Sequence, residues 1–239
     1  MIKRVENVSE LDRYEIIDIY SIRILSLLNA YGVGYDFAVF YKQIDENGKI
    51  TAIMSKLDGD ITISFNNPDY SELEEFIDAI GYSACLCSAL YAYKREYDEG
   101  VIMCSDKHCE IYMPNIQIND YPKLMDIFNF EDYESIDFDT WYVDVSHRIR
   151  HGCAKAYTLN INDEIVSSAI FSAIYNGNAI LSSVRTQPEF RRMGYGSKLV
   201  SEMMGDICGS VFLMRERDKN EEFYNKLGFR NIGNWRMYK

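Results

Sequence analysis

The sequence predicts an α/β (α+β) protein in which a mixed sheet with an antiparallel meander is flanked by helices and preceded by a second, smaller α+β domain. Hydrophobic residues make up 47% of the 239 residues and there are only four prolines, which is typical of an ordered globular chain. Two regions, at 36–91 and 154–239, each alternate strand-like stretches with short polar turns before a helical pattern. These observations together predict two sheet-containing domains.

The meander is predicted in the C-terminal region. Residues 154–161 and 165–175 are rich in β-branched and aromatic side chains and flank a short polar turn, which predicts a hairpin. The turn Asn-Gly-Asn at 176–178 leads into a third strand at 179–186. The three strands are therefore expected to be antiparallel neighbours.

A glycine-rich basic stretch, RTQPEFRRMGYGSKL at 185–199, follows the meander. A helix is predicted after it, because apolar residues recur at helical spacing up to Ile207. A strand at 210–216, a short helix at 219–228 that ends at Gly228, and a final strand complete the region. The order of elements is thus strand, glycine loop, helix, strand.

This loop is predicted to bind a small anion. The first N–H groups of a helix lack intrahelical partners and the helix dipole favours negative charge there, so phosphate is a suitable ligand. The whole chain has a net charge of -12, yet residues 145–239 hold 14 basic against 9 acidic side chains. An acidic molecule repels a polyanion at long range, so no nucleic-acid partner is expected. The loop lacks the Gly-Lys-Ser/Thr order of a Walker A motif and the third glycine of a Rossmann motif.

Two segments resemble the GCN5-related N-acetyltransferase (GNAT) superfamily. Residues 191–196 have the form R-x-x-G-x-G, similar to the superfamily's pyrophosphate-binding loop, and EEFYNKLGF at 221–229 is similar to its element carrying a helical tyrosine. The resemblance covers residues from about 150 to the C-terminus, with both segments in the superfamily's order. It implies a GNAT-like fold, acetyl-CoA (coenzyme A) as cofactor, and N-acyltransferase activity by direct attack of an amine.

The resemblance also implies site residues. Tyr224 is the expected proton donor to the leaving thiolate. A side chain at Gly194 or Gly196 is expected to block the pyrophosphate, so that Gly196→Asp should abolish acetyl-CoA binding while leaving the fold intact. Lys198 is considered as a further source of attraction. The cofactor contacts implied are Val184 and Thr186 along the pantetheine, Arg191, Arg192, Gly194, Tyr195, Gly196 and Ser197 in the loop, and Asn220.

The general base and the acceptor stay open. The strand at 179–186 has no carboxylate, so a water chain is considered, and Asp144, His147 and His151 are weak candidates because solvated polar residues are the simpler interpretation. The acceptor is expected to be a small-molecule or peptide amine. The seven carboxylates within 126–144 are interpreted either as a solvated acidic face or, by hypothesis, as a region that attracts a cationic acceptor. A non-catalytic acyl-CoA-binding sensor is the alternative function.

The N-terminal half is predicted to repeat the order of three strands, helix and strand. The strands fall at 36–44, 50–56, 61–65 and 82–91, and the helix falls at 70–81. Its loop lacks R-x-x-G-x-G and carries carboxylates. We interpret it as a degenerate GNAT-like or substrate-shaping domain, with an unrelated α+β domain as the alternative, and assign domains at 1–118 and 119–239.

Three further expectations concern the environment of the chain. The six cysteines lack paired CxxC spacing and no apolar run could span a membrane, so a cytoplasmic protein without a membrane partner is expected, as monomer or homodimer. Cys104, His108 and Cys109 form one short cluster, which is too little for a four-ligand site, so no metal is expected. Cys85 and Cys87 alternate along one strand and are expected to be core residues.

Overall fold

The computed structural model describes residues 1–107, 110–131 and 136–239, and the chain forms two compact units. The first contains Met1–Ile102, Met214–Arg217 and Ile232–Lys239, and the second contains Met103–Leu213 and Asp218–Asn231. The contiguous division at residue 118 that the sequence predicted differs from these units. The physical reason is strand pairing, because the end of the chain completes the sheet of the first unit.

The first unit contains a mixed sheet in which β1, β2, β3 and β4 are antiparallel neighbours. β4 then pairs with β5 in parallel, and β5 pairs in antiparallel fashion with the end of β12 through Trp235–Tyr238. The elements are β1 (Ile2–Arg4), α1 (Ile19–Tyr31), β2 (Ala38–Ile44), β3 (Ile50–Leu57), β4 (Asp60–Phe65), α2 (Tyr70–Ile80), β5 (Ala84–Ser88) and β12 (Arg230–Tyr238). β6 (Tyr97–Ser105) begins in this unit and ends in the second.

The core of the first unit lies between this sheet and its helices. Ile63, Ile77, Cys85 and Cys87 are all fully buried, which confirms that the two cysteines are core residues. β5 is shorter than the strand predicted at 82–91, because the chain turns after it and the Tyr91 N–H bonds to the Ser88 carbonyl.

The second unit contains an antiparallel sheet in the order β7, β8, β9, β10, with β11 added in parallel beside β10. The predicted meander is therefore confirmed. The elements are β7 (Gln117–Asn119), α3 (Leu124–Glu131), α4 (Phe138–Arg150), β8 (Lys155–Ile161), β9 (Glu164–Tyr175), β10 (Asn178–Thr186), α5 (Tyr195–Gly205), β11 (Val211–Glu216) and α6 (Glu221–Lys226).

Helices cover both faces of this second sheet. α3 and α4 pack on one face, where Ile127 and Ile170 belong to one buried cluster with Trp141 against it. α5 packs on the opposite face, since Tyr157 and Phe171 are in edge-to-face contact there and the Tyr157 hydroxyl donates to Asp206 just after α5 at 2.6 Å. Side chains alternate between faces along a regular strand, so between Ser167 and Phe171 the even-numbered β9 residues point to α3 and the odd-numbered ones to α5.

The structure is thus the mixed α/β fold that the sequence predicted, with the same order of elements in both units. In each, an antiparallel meander leads into a helix and then a parallel strand. Within the residues described, none of the helices has both the length and the apolar character needed to cross a membrane.

Candidate active site

The basic glycine loop connects β10 to α5 and is anchored to β9. The Gln187 N–H donates to the Val166 carbonyl at 3.0 Å, and the Gln187 side-chain amide donates to the Ile165 carbonyl at 2.7 Å. A 3₁₀ turn over Pro188–Phe190 follows. The loop therefore leaves the sheet from a fixed point.

Gly194 opens α5 in a left-handed conformation. Its φ is 89°, in a region that glycine enters without the steric penalty of a Cβ atom, and it makes no side-chain cap. Its carbonyl accepts the Lys198 N–H at 2.9 Å, which begins the helix. The N–H groups of Tyr195, Gly196 and Ser197 consequently belong to the first helical turn, where intrahelical acceptors are missing and acidic residues are absent.

Gly196 is confined by its neighbours. A Cβ atom built at this position would lie 2.9 Å from Thr186 Oγ1 and 3.7 Å from the Phe223 ring. Thr186 Oγ1 is itself 3.0 Å from Ser167 Oγ, so it cannot simply move aside. A side chain at Gly196, as in Gly196→Asp, would therefore have to displace Thr186 Oγ1 and would strain the packing of α5 on β10.

The basic residues of the loop differ in their exposure to solvent and in their partners. Arg191 and Arg192 are exposed, and Arg191 Nε donates to the Thr186 carbonyl at 3.1 Å, which holds its guanidinium over the loop. Lys198 is instead buried and its ammonium group bonds to Glu202 one turn along α5. Lys198 is thus a structural ion pair rather than a further phosphate contact.

Val184 lies in an irregular part of β10. The register against β9 shifts between Ser182 and Arg185, and Ser183 in this bulge has a positive φ of 49°. The parallel pairing of β10 with β11 runs through Ala179 and Ile180, near the start of the strand. Bulges re-aim the backbone, so Val184 sits where β10 departs from regular pairing, whereas Thr186 is paired with Ser167.

Tyr224 and Asn220 lie on α6. Asn220 is the exposed first residue before the helix, with a left-handed φ of 60°, and its carbonyl accepts the Tyr224 N–H at 3.2 Å. The Tyr224 ring contacts those of Phe223 and Phe229, at centroid separations of 4.9 Å and 5.7 Å. Burial raises the pKa of Tyr224, so its phenol is protonated at neutral pH and can donate a proton.

Glu131, at the end of α3, is a carboxylate that the sequence reasoning missed. Only 9% of the residue is exposed, its Oε1 accepts a hydrogen bond from Ser168 Oγ on β9, and its carbonyl accepts one from the Arg185 guanidinium on β10. Burial raises the pKa of Glu131 to about 7, against the opposing effects of the Ser168 hydrogen bond and the Arg185 charge. One sequence signal was available, because Glu131 follows Leu124 and Ile127 at i+7 and i+4, on the apolar face of the helix.

The polar residues that the sequence suggested as possible participants in proton transfer lie on α4 or at its end, whereas Glu131 lies on α3. Asp144 forms an ion pair with Arg148, whose Nη1 donates to the Ser172 carbonyl at 2.7 Å. Ser172 is four residues along β9 from Ser168, about 13 Å at the rise of a strand. His147 and His151 stack on each other at 4.2 Å. Asp144 therefore stabilises α4 on the sheet at a distance from Glu131.

A metal centre finds no support in the part of the chain that the structure describes. No group of three His, Cys, Asp or Glu side chains is arranged there to hold an ion. Cys104 is buried, while His108 and Cys109 lie outside the described residues. Asp132 and Glu134, two of the seven carboxylates within 126–144, also lie outside them.

One family model matches the chain, in the C-terminal region that contains the glycine loop and Tyr224. Residues 161–238 match the family model described as FR47-like protein. No curated protein sequence matches the chain. Solved structures resemble it over its whole length, although their sequence identities are low.

Three of these structures have similar lengths. A protein from Drosophila has a TM-score of 0.69 at 12% identity and covers 100% of this chain and 98% of its own. A GCN5-related N-acetyltransferase from Sphaerobacter thermophilus has a TM-score of 0.60 at 11% identity, covering 100% and 94%. A tandem GNAT protein from the clavulanic acid biosynthesis pathway has a TM-score of 0.59 at 9% identity, covering 100% and 97%.

These matches define the class of the fold as one that N-acetyltransferases use. Residues 161–238, which contain both motifs, match the FR47-like model, and the chain shares its fold with solved N-acetyltransferase structures. The similarity to a tandem GNAT protein extends over the N-terminal half, so that half shares the fold while lacking the glycine loop.

Proposed function

We propose that the chain is an N-acetyltransferase that moves an acetyl group from acetyl-CoA to an amine by direct attack. The observation that carries the proposal is the start of α5, where a left-handed Gly194 precedes first-turn N–H groups that lack intrahelical acceptors, beside two exposed arginines. Such a helix start binds phosphate through main-chain donors and the helix dipole. An acyl-CoA pyrophosphate is the anion that GNAT-superfamily members bind at this loop.

The residues present fit this ligand. Gly194 to Ser197 would contact the pyrophosphate through main chain, and Arg191 and Arg192 would supply local positive charge. Val184 and Thr186 would pair with the pantetheine amide groups, as an added strand pairs with an edge, and Asn220 would contact the same arm. Tyr224 would protonate the leaving thiolate, for which its raised pKa keeps the phenol in the donor form.

The acceptor is proposed to be a cationic small-molecule or peptide amine. Asp137 and Asp139 lie at the start of α4, on exposed positions, and add negative charge beside the α3–α4 face of the second unit. Asp137 also caps α4, because its carboxylate accepts the Thr140 N–H at 2.9 Å. Hydrogen bonds from Thr140 hold the pKa of Asp137 below its ordinary value, so the charge persists at neutral pH.

The cofactor assignment is tested by calorimetry with acetyl-CoA. Replacing both Arg191 and Arg192 with glutamine should weaken binding about tenfold or more at low salt, since each charged contact to phosphate contributes on the order of 1 kcal/mol. The matched control replaces Lys3 and Arg4, a pair of exposed basic residues on β1, with glutamine. Equal affinity in all three proteins would contradict the loop assignment.

The reaction is tested by measuring CoA release with a panel of amines. Release that depends on one amine supports the transferase. Binding of acetyl-CoA without release over the whole panel would instead favour an acyl-CoA-binding sensor, in which the pocket persists without an acceptor. Failure of the wild-type chain to bind acetyl-CoA would overturn both functions.

A further inference from the structure

We propose that Glu131 is the general base of the reaction, accepting a proton from the acceptor ammonium group. This role rests on the proposed transferase function. The carboxylate lies on α3 against β9 and β10, in the same unit as the glycine loop and Tyr224. It supplies the proton acceptor that β10 itself lacks.

Two contacts hold Glu131 in place, one at its side chain and one at its backbone. Ser168 Oγ, which is fully buried on β9, donates to one carboxylate oxygen. The Arg185 guanidinium donates to the Glu131 backbone carbonyl, one of the terminal carbonyls that a helix leaves without partners. Glu131 is therefore fixed against β9 and β10 at both its side chain and its backbone.

Glu131 lies next to the segment of β10 that the proposed pantetheine would follow. Ser168 is the direct cross-strand partner of Arg185, and Ser167 is the partner of Thr186. Neighbouring strands are separated by about 4.8 Å, so Ser168, which bonds to the carboxyl group, lies one strand spacing from Arg185, the residue after Val184. The proposed reaction assigns no other role to this buried carboxylate.

The carboxyl group lies on one particular face of the sheet. Ser167 and Thr186 point to α5, where Gly196 packs on Thr186, whereas Ser168 and Arg185 point to α3. Glu131 therefore approaches β10 from the face opposite α5. The carboxylate and the glycine loop therefore lie on opposite faces of β10.

The pKa of Glu131 is also suited to a general base. Burial raises the pKa of Glu131 to about 7, with the Ser168 hydrogen bond and the Arg185 charge as the facing groups that oppose it. A general base is most effective when its pKa is close to the working pH. At neutral pH a substantial fraction of the carboxyl groups is ionised and can accept a proton.

The proton steps balance as follows. An N–H bond of the ammonium group breaks and an O–H bond forms on Glu131, which frees the amine lone pair to bond to the acetyl carbon. The C–S bond breaks, and the thiolate takes the Tyr224 phenol proton. The remaining extra proton on nitrogen returns to the Tyr224 oxygen, and Glu131 releases its proton to water.

The test compares Glu131→Gln with wild type in kcat/KM against pH, using an amine found to support CoA release. Glutamine keeps an oxygen for the Ser168 hydrogen bond but cannot accept the proton. We expect kcat/KM to fall by about 10²–10⁴-fold and the acid limb near pH 7 to disappear, with unchanged acetyl-CoA affinity by calorimetry. Glu164→Gln, which removes an exposed carboxylate at the start of β9, is the matched control and should change neither.

A second variant keeps the test informative if Glu131→Gln folds poorly. Ser168→Ala removes the hydrogen bond that lowers the pKa of Glu131, so the acid limb should move to higher pH. An unmoved limb in Ser168→Ala, or a wild-type profile in Glu131→Gln, would overturn the role of Glu131 while the transferase function stands. A wild-type chain that neither binds acetyl-CoA nor releases CoA would overturn the transferase function itself, and this role with it.

Discussion

Replacing Glu131 with glutamine should make the stability of the protein less dependent on pH, whether or not the chain is an enzyme. Burial raises the pKa of the folded carboxyl group from 4.5 to about 7. Between these values the folded protein holds a proton that the unfolded chain has released. The stability contributed by this group is therefore complete below about pH 4.5 and is lost as the pH rises through about 7.

The size of the effect follows from the difference between the two pKa values. Each pKa unit corresponds to about 1.4 kcal/mol, so the rise to about 7 corresponds to roughly 3 kcal/mol of unfolding free energy. Glutamine does not titrate. The free energy of unfolding of Glu131→Gln, relative to wild type, should thus increase by roughly 3 kcal/mol between pH 4.5 and pH 8.

Urea denaturation at several pH values measures this difference. Trp141 is a suitable fluorescent probe, because its ring packs on Phe128 of α3 at a centroid distance of 5.3 Å, in the same unit as Glu131. Glu164→Gln serves as the control for removing a carboxylate. A stability difference between Glu131→Gln and wild type that stays constant from pH 5 to pH 8 would refute the claim that burial perturbs this carboxyl group.

Three further predictions concern the loop and the chemistry. Tyr224→Phe should lower kcat by about 10²–10⁴-fold with unchanged acetyl-CoA affinity, measured by steady-state rates, and a wild-type kcat would remove its role as proton donor. Gly196→Ala should lower the free energy of unfolding, measured by urea denaturation, by about 1–3 kcal/mol, because the added Cβ meets Thr186 Oγ1. This loss should be smaller in a Thr186→Ala background, and additive losses for the two substitutions would contradict the packing argument. Asp139→Asn should raise KM for a cationic amine but not for acetyl-CoA, as added salt should also do, whereas an equal change in both would indicate general damage.

The sequence predicted the fold well where local patterns decide the structure. The meander, α5 and α6 follow from turn residues, helical spacing and a terminal glycine, which act within a few residues of each other. α1 (Ile19–Tyr31) was not predicted, because it is buried on nearly all sides and so lacks an alternating polar face. Its cap residues, Asp18 and Gly32, were nevertheless present as signals.

The residues of the candidate site also fall into two groups, those that local sequence motifs identify and those that depend on tertiary packing. The loop and Tyr224 could be found from motifs, since their spacing along the chain is fixed. Glu131 could not be distinguished from its acidic neighbours, because its burial depends on the packing of α3 against a strand 37 residues away. The burial of Lys198 and the confinement of Gly196 by Thr186 are likewise tertiary properties.

The two units show why the charge at a helix start, rather than the order of elements, decides where an anion can bind. Both place a helix after the third meander strand and follow it with a parallel strand. In the first unit, the Asp69 carboxylate accepts the Glu72 N–H at 3.1 Å, so a side chain of the protein already occupies the first turn of α2. In the second, α5 begins with Gly194, has no acidic residue in its first turn and lies beside Arg191 and Arg192. A phosphate approaching α2 would have to displace a carboxylate of like charge, whereas one approaching α5 meets donors and positive charge, so the proposed acyl-CoA site belongs to the second unit alone.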